Sequence, residues 1–102
     1  MYCCDGFSNL IMAAGERGNA ALAVEKRGRL YFLLQSRGVA FEDESKLRPA
    51  SIEVTINIAS CTGLRFCPFC GRKLEELIQD SPDFFENLAA HHEKFLAAIR
   101  GF

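Results

Sequence analysis

Between residues 51 and 60 the chain alternates, with Ile52, Val54, Ile56 and Ile58 set against Glu53, Thr55 and Asn57. A period of two puts the first set on one face of a β-strand and the second on the other. Gly63 follows as a turn, from which Leu64 to Phe66 lead on. Upstream, residues 20–37 hold two apolar stretches split by Glu25, Lys26, Arg27, Gly28 and Arg29. A polar, glycine-containing break between such runs predicts a hairpin, with a helix over 20–26 as the competing reading.

Elsewhere the period lengthens. Phe7, Leu10, Ile11 and Ala14 recur at helical spacing until Gly15 and Gly18 end the pattern, which predicts a short amphipathic helix over 5–16. After Gly71, Leu74, Leu77 and Ile78 share one helical face. Ser81, Pro82 and Asp83 read as a further helix start: a hydroxyl at the N-cap, Pro at the first helical position and an acid in the first turn. Phe84, Phe85, Leu88, His92, Phe95, Leu96 and Ile99 then form a broad apolar stripe, to be packed on the sheet or on a second copy of the chain. Residues 42–49 run from acidic to basic, end at Pro49 and read as a solvated loop. The expectation is one α+β domain over residues 1–102: an N-terminal helix, a small antiparallel sheet of about three or four strands, and two C-terminal helices.

Composition narrows this picture without changing it. A chain of 102 residues, 49% hydrophobic, has the size and core of a single domain. Twelve Lys and Arg against thirteen Asp and Glu leave a net charge of -1, so no whole-molecule field draws the chain to nucleic acid or an anionic membrane. Nucleic-acid binding would have to be local, and the basic turn Lys26, Arg27 and Arg29 beside Tyr31 and Phe32 is the footprint for it. No apolar run approaches the roughly 20 residues of a membrane span, and the start of the chain lacks the basic and apolar regions of a secretory signal. The expected location is cytoplasmic, with no membrane partner.

Cysteine carries the chemistry. Cys3, Cys4, Cys61, Cys67 and Cys70 are odd in number for a disulfide framework, and in a reducing compartment they point to metal ligation or redox work. The Cys-Pro-Phe-Cys turn at 67–70 brings two thiolates to one side, as a tetrahedral site requires. Gly71 allows positive φ, which frees backbone N–H groups to point at the sulfurs. Arg65, Arg72 and Lys73 add positive charge nearby. The remaining ligands must come from Cys3, Cys4, Cys61, His91 or His92. Cys3 and Cys4, with no apolar pattern around them, are the choice for the second half. Adjacent side chains in a strand point to opposite faces, so both can serve only if the backbone turns there. Cys61 is therefore the reserve ligand, its other reading being a small buried thiol at a strand end. His92 falls on the apolar stripe and His91 near its edge, which makes them packed or half-exposed histidines rather than ligands.

The stretch "FCPFCGRKL", residues 66–74, resembles the CPxCG zinc knuckle of zinc-ribbon proteins. Together with an N-terminal "YCC" before a helix, it is similar to a group of small bacterial or phage proteins. The resemblance implies a bound Zn2+ at a knuckle after the last strand. The chain departs from the usual ribbon, in which two Cys-x-x-Cys turns lie within about 15 to 20 residues; here the first half is an adjacent pair. Glutaredoxin-like proteins also use Cys-Pro-aromatic-Cys, but they need strands and a cis-Pro after the motif, whereas the residues after Cys70 read as helices. Four cysteines around one zinc make a closed site, and closed sites are structural. The expected protein is a non-enzymatic zinc-binding module with Cys3, Cys4, Cys67 and Cys70 as ligands. It would act through an unidentified protein partner or a homodimer formed by the last helix. Nucleic-acid binding is the second reading and a dithiol oxidoreductase the third.

Overall fold

The computed structural model describes residues 2–42 and 59–96. All but the first residue of the expected loop over 42–49, all but the end of the expected strand over 51–60, and Ile99 lie outside them. The described elements are α1 (Asp5–Met12), β1 (Gly18–Lys26), β2 (Arg29–Arg37), β3 (Ala59–Leu64), α2 (Leu74–Asp80), α3 (Pro82–His92) and a 3-10 turn, Glu93–Phe95. They form the expected α+β arrangement, with a three-stranded antiparallel sheet in the order β1-β2-β3.

The hairpin predicted over 20–37 is present. β1 and β2 pair from Gly18↔Arg37 to Lys26↔Arg29, leaving Arg27 and Gly28 as a two-residue turn at φ 55 and 77. Positive φ at both positions is the geometry whose twist matches that of the flanking strands. β3 pairs with β2 from Phe32↔Leu64 to Arg37↔Ala59. Gly63 lies opposite Leu33 in that ladder and does not form the turn expected of it. The strand runs on to Leu64 because hydrogen bonding to β2 holds a residue that has no turn preference unless φ is positive.

The register sorts side chains onto two faces. Ala21, Ala23 and Phe32 meet Phe7, Ile11, Leu74, Leu77, Phe85 and Ala89 on one. Leu22, Val24 and Leu33 meet Phe95 on the other. Residues 20–24 are consequently buried throughout, as a strand covered on both faces must be. α1 buries Phe7 and Ile11, one turn apart, and ends at Met12, earlier than the pattern predicted. α3 starts at Pro82 as expected, with Asp83 in its first turn, but the Ser81 hydroxyl makes no capping bond. Only the Ser81 carbonyl accepts, from Phe85 N–H at 3.2 Å.

The apolar stripe of α3 faces the sheet through Phe85, Ala89 and His92. His92 is 3% exposed, and its Nδ1 accepts the Ala23 N–H at 3.1 Å, so the ring seals an outward-facing donor of an edge strand. On the second face Gln35 and Arg37, both buried, donate from Nε2 and a guanidinium nitrogen to the Phe95 carbonyl at 3.1 and 2.7 Å. Arg37 Nε also donates to Gln35 Oε1 at 2.9 Å. A cation at the C-terminal carbonyl of the 3-10 turn satisfies both groups.

Candidate metal centre

The chain reverses between β3 and α2 in a short loop. Phe66 and Lys73 face each other across an antiparallel bridge. Inside it, Cys67 N–H donates to the Arg72 carbonyl at 2.9 Å and Gly71 N–H to the Cys67 carbonyl at 3.0 Å. Gly71 sits at φ 79, where any side chain would be strained. The turn it closes aims the N–H groups of Phe69 and Cys70 at Cys67 Sγ, at 3.4 and 3.5 Å, as expected from the sequence.

The N-terminal cysteines reach this loop because the backbone turns at them. Cys4 is the N-cap of α1, extended at φ -163, and the helix starts at the next residue. Cys3 and Cys4 therefore do not diverge as they would along a strand. The sulfurs of Cys3, Cys4, Cys67 and Cys70 all lie within 4.8 Å of one another, and those of Cys4 and Cys67 are 3.6 Å apart. A tetrahedral zinc with Zn–S bonds of about 2.3 Å holds its sulfurs about 3.8 Å apart. Donor type, number and spacing all fit such an ion.

Aromatic packing that the sequence pattern did not reveal holds the "YCC" segment in place. Tyr2 makes edge contacts with Phe7, Phe84 and Phe85 at centroid distances of 6.2, 5.7 and 6.0 Å, and Phe32 lies against Phe7 and Phe85 at 5.2 and 5.4 Å. The available signal was an aromatic on either side of the cysteine pair. Gly6 likewise leaves no trace in the hydrophobic pattern. A Cβ there would fall 2.7, 2.9 and 3.0 Å from Cγ, Cδ2 and Cδ1 of Phe69, so the loop aromatic lies on the first turn of α1 and needs a glycine beneath it.

Without a cation, the cluster favours one thiolate. Burial raises the Cys67 pKa, but the N–H groups of Cys70 and Phe69, with hydrogen bonds from Cys3 and Cys4, outweigh it and bring the thiol to about 7. Cys3 is pushed up by burial, by hydrogen bonds with Cys70 and Cys67 and by the Cys67 charge. At Cys4 the Phe7 N–H lowers the pKa, yet burial and hydrogen bonds to Cys67 and Cys70 leave it raised. A divalent cation is what would let the other sulfurs ionise beside Cys67.

The nearby charges are arranged differently from the expectation. Arg72 is turned toward α2, where it pairs with Asp80 at 2.9 Å and Glu76 at 3.9 Å, leaving Arg65 and Lys73 exposed on the loop. Cys61 stands outside the four-sulfur group. It pairs with Gln35 in the sheet and packs half-buried against the second core. Burial raises its pKa, with Gln35 and Arg37 partly opposing. Among the described residues neither His91 nor His92 joins a metal-binding group. The basic turn keeps Lys26, Arg27 and Arg29 exposed, but Phe32 is 1% exposed and cannot stack on a base. Among the described residues no helix is long and apolar enough to cross a membrane. Comparison with protein-family models, with curated proteins and with solved structures finds no match to this chain.

Proposed function

We propose that Cys3, Cys4, Cys67 and Cys70 hold one zinc ion in a closed structural site, and that the chain is a small zinc-dependent binding module. The observation carrying this reading is the convergence of four sulfurs, from segments 63 positions apart, to within 4.8 Å. Four thiolates suit zinc among the abundant divalent ions and leave no open position for substrate. The ion would clip the start of α1 to the loop before α2. Contacts with other proteins then fall to the surface; for a homodimer through α3, the half-buried Phe84 and Leu88 are the apolar groups at hand, because Phe85, Ala89 and His92 face the chain's own core.

Native mass spectrometry with metal analysis tests this. The expected result is one zinc per chain, with Cys3, Cys4, Cys67 and Cys70 protected from alkylation until a chelator is added. Purified protein that takes up no metal on reconstitution, or whose four thiols alkylate at the same rate with and without zinc, would refute the site.

A further inference from the structure

Among the described residues the large exposed apolar side chains are Met12, Phe66 and Phe69, and two of these lie in the loop that carries Cys67 and Cys70. Phe69 is 60% exposed. The atoms nearest a Cβ built on Gly6 are its Cγ and both Cδ carbons, at 2.7 to 3.0 Å. In the ring plane Cγ is shielded by its own Cβ, so this approach is through the ring face. One face of Phe69 therefore rests on the α1 backbone and the other is open. Phe66 is 52% exposed and sits across the bridge from Lys73, on the same side of the ladder. Residues 65–73 contain Arg65, Arg72 and Lys73 and no carboxylate. Arg72 is held by Asp80 and Glu76; Arg65 and Lys73 form no ion pair with any described residue.

We propose that this loop is a binding surface for single-stranded nucleic acid, with Phe69 and Phe66 stacking on bases and Lys73 and Arg65 meeting phosphates. A ring laid flat on backbone offers a π-face, which suits a nucleobase, whereas a protein pocket takes a ring that projects. Every base has such a face, so binding is tolerant of sequence. The chain's net charge of -1 keeps the attraction local. The affinity is accordingly that of non-specific binding, with Kd about 1 to 100 μM.

Fluorescence anisotropy of labelled single-stranded DNA and RNA with zinc-loaded protein tests the proposal, with metal content and melting temperature measured on the same samples. The expected result is binding whose log–log salt slope is about -1.4, for two phosphate contacts. Phe66→Ala and Phe69→Ala should each weaken binding about tenfold or more, and Lys73→Ala should flatten the slope by about 0.7, with zinc content unchanged. The double variant Arg27→Ala/Arg29→Ala should bind as the parent does. Four results would overturn it: no binding at low salt; equal affinity for inorganic polyphosphate with no effect of the Phe variants; loss of binding in the Arg27/Arg29 variant; or Phe-dependent binding of an acidic peptide without nucleic-acid binding. A chain that carries no zinc yet binds through Phe66 and Phe69 would refute the metal reading alone.

Discussion

His92 shows how one residue can look like a ligand and serve as structure. Burial, followed by the positive fields of His91 and Lys94, lowers its pKa from 6.5 to about 4, and the neutral ring is the form whose Nδ1 can accept the Ala23 N–H. The unfolded chain takes up a proton near pH 6.5 while the folded chain resists until about 4. Stability from this group is therefore complete above pH 6.5 and declines as pH falls through that window, by on the order of 3 kcal/mol in all. Asn places Oδ1 near the Nδ1 position, so His92→Asn should be less stable at pH 7 yet lose less on acidification. Urea unfolding of both proteins at pH 7 and pH 4.5 measures the difference, and equal losses would show that His92 titrates normally. At the cysteines, Cys67→Ala should abolish stoichiometric zinc and Cys61→Ala should leave it intact, read by metal analysis. The Cys67 and Cys70 half of the four-sulfur cluster was legible because the Cys-x-x-Cys-Gly turn is local in sequence and its chemistry follows from spacing. What brings Cys3 and Cys4 to it was not. Tyr2 among Phe7, Phe84 and Phe85, and Phe69 on Gly6, are contacts between distant segments with no periodic trace.

At the scale of elements, the hairpin is the most testable unit. Arg27 at φ 55 occupies a left-handed position that an Arg side chain disfavours and Asn tolerates. Arg27→Asn should therefore raise stability by about 0.5 to 1 kcal/mol, seen as a higher urea midpoint at unchanged slope; a neutral or lower midpoint would mean that the Arg27 side chain makes up the difference through its own contacts. The two strands and three of the helix starts could be read from the sequence because hydrophobic period and turn chemistry agree there. They disagree at Gly63, where a residue that could turn is held in the ladder against Leu33. At Ser81 the expected cap is absent because the residue lies at φ -145, ψ 61, between α2 and α3, and its backbone rather than its hydroxyl meets the first turn. Sequence signals report local preference, and both misses occur where tertiary pairing or a tight junction sets the backbone.

For the molecule as a whole, the question is what a zinc ion at the proposed site would add to a fold that already packs. The core contains Phe7, Phe32 and Phe85, fully buried, and Tyr2 holds the N-terminal segment from one side. A domain of this size is stable by about 5 to 15 kcal/mol, while a structural zinc can contribute an apparent 10 to 16 kcal/mol through folding. A metal term of that size would be as large as the whole margin. Its loss should fall first on the two segments that the site would join, α1 and the loop before α2. Chelation is expected to lower the melting temperature by tens of degrees, since each kcal/mol shifts a domain of this size by roughly 4 to 8 °C. In hydrogen exchange the metal-free chain should lose protection at α1 and over residues 65–73 before it loses protection in β1 and β2, whose ladder runs over nine residue pairs and does not involve the cysteine cluster. A metal-free chain that melts with the loaded one, or that opens its hairpin first, would show that the sulfurs meet because the fold is already complete, and that the metal is incidental to it.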